Sequence, residues 1–297
     1  MPFILDSTRE ALARLAMQHA GAIDFNPTGI AGFNVVKRIE RGEKRSFQKP
    51  YAALIFQGRK HTRVGDIEHV YGPGDVVVTC IDFPSFTTIE EASIEKPFLS
   101  CVLELNRDLM AELSLMLGHA QAPDDPAGQP FFVTRCEEDI AQNFRRLLEL
   151  SDAPEKISLL APILIRELHA RFLLGPQGAW IRSVCSYGTH SHQIAAAVSM
   201  IKEKFREPIS VADIAGNIGL SEPSLHRHFK NMTGFSPIKY QKILRLYEGR
   251  NILRSGRKTV SGAAFEVGYA SSSHFTNDYR KFFGLSPRDD ARAGFAA

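Results

Sequence analysis

The 297 residues predict an α+β chain: an antiparallel β-barrel or sandwich with flanking helices, then an all-α region with two helix-turn-helix motifs joined by a helix. Two observations carry this reading. The first half holds short apolar runs separated by glycine and proline, namely YAALIFQ, HTRVG, IEHVYG, DVVVTC, FTTIEEA and FLSCVLEL, the rhythm of strands in an all-β domain. The last third writes one pattern twice: Leu225, Phe229, Gly234, Ser236 and Pro237 recur as Phe275, Tyr279, Gly284, Ser286 and Pro287 at an offset of 50, and Ala215, Ile218 and Gly219 recur as Ala264, Val267 and Gly268 at an offset of 49. The second copy therefore has one extra residue in its turn, GYAS against GLS.

Taken in order, residues 6–20 predict a helix, with Leu12, Leu15 and Met17 at roughly helical spacing. The strands follow, and Gly72-Pro73-Gly74-Asp75 is a turn of the kind that joins them. Helices are expected over 107–118, 137–151 and 156–174, with the loop QAPDDPAGQP between the first two. The stripe Ile157, Leu160, Leu164, Leu168 and Phe172 is broad enough to pack on the barrel and to meet a second subunit, and packing within the chain explains it equally well. These boundaries divide the chain into a domain of residues 1–174, a linker of residues 175–192 and a domain of residues 193–297. The linker holds the only tryptophan, Trp180, which should dock on a neighbour.

Each repeat opens with a short helix, its apolar stripe being Val211, Ile214, Ala215 and Ile218, or Val260, Ala263, Ala264 and Val267. A glycine turns the chain, and a second helix starts at Ser221 or Ser271 as N-cap. Its anchors at i, i+4 and i+7 are Leu225, Phe229 and Met232, then Phe275, Tyr279 and Phe282. The opposite face presents Pro223, Ser224, His226, Arg227 and Lys230, then Ser272, Ser273, Thr276, Asn277 and Arg280. Such groups suit a DNA major groove: Arg bonds guanine bidentately, Asn bonds adenine, and the Thr methyl packs on thymine. The eighteen residues 237–254 between the copies predict a helix, with Ser236 as cap, Pro237 in its first turn and Gly256 just past its end. Gly249, in mid-helix, costs about 1 kcal/mol in propensity relative to Ala and is read as a close-packing site.

Charge follows the same division. Residues 190–297 carry 16 Lys and Arg against 9 Asp and Glu, net +7, while residues 1–189 carry 20 against 24, net −4. A basic half fits phosphate contacts, and an acidic half argues against a chain that merely coats nucleic acid. Lys202, Lys204, Lys239, Lys242, Arg257 and Lys258 are candidates for the backbone, or simple surface charges.

The runs ISVADIAGNIGLSEPSLHRHFKNMTGFSP and VGYASSSHFTNDYRKFFGLSP resemble the DNA-binding domain of the AraC/XylS family of transcriptional regulators. By that resemblance, base contacts fall on Pro223, His226 and Arg227, and on Ser272, Ser273, Thr276 and Asn277; many relatives have Arg where this chain has Asn277. Residues 51–105 resemble a cupin-like sensory barrel found fused to such domains. The resemblance implies a small-molecule effector in that barrel, double-stranded DNA and RNA polymerase as partners, and a homodimer. Phe56, Tyr71, Phe83 and Phe98 are expected effector contacts, with Phe86 a further aromatic; a filled core explains each one as well. Arg59, Lys60 and Arg63 would hold an anionic group or form a basic edge.

Cupin enzymes hold a metal through two closely spaced histidines, a glutamate and a further histidine. Here His61 and His69 are eight residues apart with no His-x-His, so no metal, no cofactor and no catalytic residue is expected. The rival reading is a cupin-type enzyme with an accessory DNA-binding domain. Cys80, Cys101, Cys136 and Cys185 show no zinc or redox spacing, and no signal peptide or membrane-spanning run is evident, so the expected setting is a reducing cytoplasm. Cys80 and Cys101, expected on adjoining strands, are read as buried thiols with a sensor pair as the alternative.

Overall fold

The computed structural model describes residues 2–21, 24–117, 129–186 and 188–294. Helix α1 (Asp6–His19) precedes nine strands: β1 (Phe25–Pro27), β2 (Phe33–Arg38), β3 (Gly42–Gln48), β4 (Tyr51–Gln57), β5 (Arg59–Val64), β6 (Ile67–Tyr71), β7 (Asp75–Thr79), β8 (Phe83–Glu91) and β9 (Phe98–Glu104). After α2 (Arg107–Met116) come β10 (Phe132–Arg135), α3 (Glu138–Leu150) and α4 (Pro154–Leu174). Most of the loop expected at 121–130 lies outside the described residues. All strand pairs are antiparallel, in a six-stranded sheet ordered β1-β2-β9-β4-β7-β10 and a four-stranded sheet ordered β3-β8-β5-β6. Alternation along a strand sends every second side chain between the sheets. Thus Thr62 and Val64 of β5 are buried while Arg59 and Arg63 are exposed. The register also separates Cys80 from Cys101, because β4 runs between β7 and β9. They are not on adjoining strands, and burial raises the pKa of both thiols.

In place of an open connection, residues 178–185 form α5 (Gly178–Cys185), packed against α2 and α4. Trp180, Ile181 and Val184 are buried, and the Trp180 ring lies 4.6 Å from that of Phe132. Trp180 thus docks on a neighbour, as its place in this glycine- and serine-bearing segment suggests, and burial of the apolar face holds the segment helical. The rest is helical: α6 (His190–Lys204), α7 (Val211–Ile218), α8 (Glu222–Thr233), α9 (Pro237–Arg254), α10 (Val260–Glu266), α11 (Ser272–Phe283) and α12 (Pro287–Gly294).

The two repeats have matching backbones. Gly219 and Gly268 take φ of 70° and 87°, and the next residue, Leu220 or Tyr269, donates its N–H to the carbonyl of Ala215 or Ala264 at 2.9 and 3.0 Å, a Schellman turn in each copy. The 18-residue α9 is about 27 Å long and carries both units. Its Arg245 donates to the carbonyls of Phe205, Glu207 and Gly268, tying the end of α6 to the second turn. A Cβ on Gly249 would sit 2.8 Å from the Phe275 ring, so this glycine is the close-packing site the sequence suggested.

The core is continuous from the sheets through α5, α6, α7 and α8 to α9, while the second unit has a smaller cluster of its own around Phe275 and Tyr279. Two polar bonds join the halves at Asp82, which is almost fully buried: Lys202 Nζ lies 2.6 Å from its carboxylate, and the Tyr240 hydroxyl donates to its backbone carbonyl at 3.0 Å. Phe47 of β3 packs edge-on against both Tyr240 and Tyr247 of α9.

Candidate nucleic-acid interface and barrel cavity

The face of α8 is set by what its other face buries. Leu225, Phe229 and Met232 are inward, which leaves Pro223, His226, Arg227 and Lys230 exposed and Ser224 half-buried. The Ser221 hydroxyl accepts from the Ser224 N–H at 3.4 Å, and Arg227 meets His228 Nε2 at 3.1 Å. His228, outside the candidate contact set, is buried and stacked on His190 with ring centroids 4.3 Å apart. In α11, Phe275 and Tyr279 are buried, Ser273, Asn277 and Arg280 are exposed, and Ser272 and Thr276 are half-buried. The Thr276 hydroxyl donates back to the Ser272 carbonyl at 2.8 Å, so its proton is committed within the helix. Ser271 stands at the N-cap but makes no side-chain capping bond; the longer turn leaves its φ at −148°, against −74° for Ser221.

The basic residues named for the phosphate backbone divide into two sets. Lys202 is held by Asp82, Lys242 by Asp278 at 2.8 Å and Lys258 by Glu266 at 2.5 Å. Lys204, Lys239 and Arg257 are exposed, Lys239 lying 5.3 Å from the Phe235 ring centroid. Lys230 has a partner across the domain boundary, Asp66 in the turn between β5 and β6, at 3.5 Å.

Between the sheets lies a cavity of about 330 Å³. Its walls come from β4 (Tyr51, Ala53, Ile55), β9 (Phe98, Ser100, Val102), Val36 of β2, Phe47 of β3, Ile89 of β8 and Tyr71 of β6. Of the five residues expected to touch an effector, Tyr71 and Phe98 line it. Phe56 is fully buried at a β-bulge outside the lining, Phe83 stacks on Phe131 at 5.9 Å, and Arg59 is exposed in an ion pair with Glu91 at 2.9 Å. Phe86 is likewise elsewhere, 5.9 Å from Phe282 of α11. Aromatic content could not separate wall from core, because both are apolar.

Four cations line the cavity: Arg38, Lys44, Lys49 and Lys60. Arg38 and Lys44 share Asp24 at 3.3 and 3.4 Å, and Lys49 lies 3.6 Å from Glu104. Lys60 has no carboxylate within ion-pair distance among the described residues; its ammonium lies 5.9 Å from the Phe98 ring centroid. Burial, with repulsion from Arg38 and Lys44, pushes its pKa down to about 8. Tyr51 and Tyr71 are shifted the other way by burial, so both hydroxyls stay protonated at neutral pH, and Thr62 meets the Tyr71 hydroxyl at 2.8 Å. Elsewhere His61 faces Glu68 at 3.3 Å and His69 packs on Phe131; no group of three His, Cys, Asp or Glu side chains among the described residues is placed to share a metal ion. No described helix is long and apolar enough to cross a membrane.

The chain matches the family model of the AraC-type transcriptional regulator N-terminus over residues 29–180 and that of a helix-turn-helix domain over residues 214–293. It is similar to the HTH-type transcriptional activator RhaS of Escherichia fergusonii, 38% identical over 92 residues, which are 31% of this chain and 33% of RhaS. Against RhaS of Escherichia coli it is 27% identical over 176 residues, 58% of this chain and 63% of that protein. These matches thus span from a third to just under two thirds of the curated relatives' length. Among solved structures, ToxT of Vibrio cholerae, crystallised with an unsaturated fatty acid bound, superimposes with a TM-score of 0.59 at 13% identity, covering 87% of this chain and 94% of ToxT, a likeness of fold. With the N-terminal model covering half its length and the helix-turn-helix model most of the remainder, the chain belongs to the family of AraC-type transcriptional regulators.

Proposed function

We propose that this protein regulates transcription by reading a specific DNA sequence with α8 and α11 while its barrel cavity takes a small-molecule effector. The observation that carries the reading is the paired geometry: two units with the same turn, seated on one helix, each leaving polar and basic side chains in solvent. Pro223, Ser224, His226, Arg227 and Lys230 form the first contact surface, and Ser272, Ser273, Thr276, Asn277 and Arg280 the second. The cavity supports the effector half, with Tyr71 and Phe98 as contacts. RNA polymerase is the proposed downstream partner and the cytoplasm the proposed setting. A homodimer is proposed through α4, where Leu159 and Ile163 are exposed while Leu164, Leu168 and Phe172 pack inward.

The test is a mobility shift with DNA fragments selected from a genomic pool, against random competitor. Arg227→Ala is expected to cost about 1–3 kcal/mol on selected DNA and to relax sequence preference. An equal loss on selected and random DNA removes Arg227 as a base reader, and easy displacement of the wild type by random DNA removes sequence-specific regulation.

A further inference from the structure

We propose that the barrel cavity is a binding site for an organic carboxylate with an apolar body, its head group held by the ammonium of Lys60. This deepens, and rests on, the reading of the barrel as the effector-binding half. Lys60 pairs in register with Tyr71 on one side and Ile89 on the other, both cavity residues, whereas its neighbour Arg59 points to solvent and to Glu91. The placement is costly. An ammonium taken from water without a counter-charge is destabilising, and here Arg38 and Lys44 add repulsion. Every other cation of the lining already has a carboxylate, so the missing negative charge belongs at Lys60.

The surroundings specify more than charge. Tyr51 presents a neutral hydroxyl beside the cavity, suited to donate to a carboxylate oxygen, while the Tyr71 hydroxyl is engaged with Thr62 at 2.8 Å. Val36, Ala53, Ile55, Ile89 and Val102 provide an apolar wall that an inorganic anion would leave wet and a hydrocarbon or aromatic body would cover. The volume, about 330 Å³, is at the small end of ligand pockets and sets the size of that body.

Calorimetric titration of the full chain at pH 7 with octanoate and benzoate, against octanamide, benzamide and inorganic phosphate, tests the proposal. At least one acid is expected to bind about tenfold or more tightly than its amide, a difference of about 1.4 kcal/mol. Lys60→Met should bring that acid down to the affinity of its amide, with Lys60→Gln as the second variant should the first not fold. Arg59→Met, which removes the neighbouring cation that lies outside the lining and pairs with Glu91, should leave the preference intact. The acid's affinity should fall as pH rises past about 8, and the amide's should not. Equal binding of acid and amide, retention of the preference without Lys60, phosphate binding as tight as either acid, or no binding of either acid at about 1 mM would each overturn it. Carboxylate binding with unchanged DNA occupancy leaves this site standing and removes only the effector reading; carboxylate binding by a chain that prefers no DNA sequence, with or without the acid, removes only the regulator reading.

Discussion

Lys230 Nζ, on the solvent face of α8, lies 3.5 Å from Asp66 Oδ2 at the tip of the β5–β6 hairpin. The same hairpin carries Lys60 and Tyr71 into the cavity. One short ribbon of chain therefore touches the cavity at its base and the first candidate DNA helix at its tip. A ligand that shifts the hairpin has a direct mechanical route to α8, provided it binds the two hairpin positions unequally.

Asp66→Asn should tighten DNA binding. The ion pair is exposed and worth about 1 kcal/mol or less, so a gain of up to about fivefold is expected as Lys230 is released and a negative charge is removed from beside the phosphates. Fluorescence anisotropy at low salt measures it, and the gain should shrink as salt rises. Weaker binding by the variant would show that Asp66 helps to position α8.

Gly249→Ala sets two effects against each other. Helix propensity favours the substitution by about 1 kcal/mol, but the new Cβ would lie 2.8 Å from the Phe275 ring, and overpacking costs about 1–3 kcal/mol. The clash should win, lowering the unfolding midpoint and disturbing α11 more than α8. Chemical denaturation with backbone amide spectra of both units would detect it; an unchanged or higher midpoint contradicts the packing.

Asp290 of α12 ties the second unit together. It is almost fully buried and accepts hydrogen bonds from Arg250 at 3.1 Å, Arg254 at 2.6 Å and the Tyr279 hydroxyl at 2.6 Å. Burial would raise its pKa, but these three partners more than offset that and leave it below the ordinary carboxylate range. The stabilisation is therefore present above the unfolded pKa, about 4, and lost as pH falls through the lower folded value. Asp290→Ala should cost about 3–5 kcal/mol, because two guanidinium groups lose their shared anion. Thermal melts of wild type and variant at pH 7 and pH 3 should differ widely at the first and less at the second.

Lys60→Met should stabilise the protein at neutral pH while it weakens carboxylate binding. Below about pH 8 the lysine is charged both folded and unfolded, and the fold bears the cost of the buried charge. Between about 8 and the unfolded value near 10.5, the native state has released a proton that the unfolded state keeps, so wild-type stability gains on the variant as pH rises. Melting curves at pH 7 and pH 10 measure the difference, with about 2–4 °C for each kcal/mol. A variant advantage that does not narrow with pH would mean that Lys60 is not desolvated.

The helical repeat was legible because its determinants are local. Leu225 and Phe229 are four residues apart, Gly219 and Gly268 close their turns, and Gly249 announced a crowded contact by being a glycine in mid-helix. The cavity was harder to read. Its lining depends on how β3, β5 and β8 face β2, β4 and β9, so Phe56 and Phe83 looked as suitable as Phe98, and Tyr51, Arg38 and Lys44 went unnamed. The alternation of Tyr51, Ala53 and Ile55 was the available signal, since it places all three on one side of β4. The seat between the halves left no local trace, because Asp82 and Tyr240 are 158 positions apart.

A Cβ on Gly65 would fall 2.5 Å from the Gly234 carbonyl oxygen, and one on Gly234 would fall 2.8 Å from the Gly65 nitrogen; both glycines also take positive φ, 60° and 77°. Barrel and helix thus abut there as bare main chain. A hybrid assembled from the sensory half of one relative and the DNA-reading half of another inherits this seat only when each parent supplies its glycine. Suitable parents can accordingly be chosen by inspecting two positions before any cloning is done.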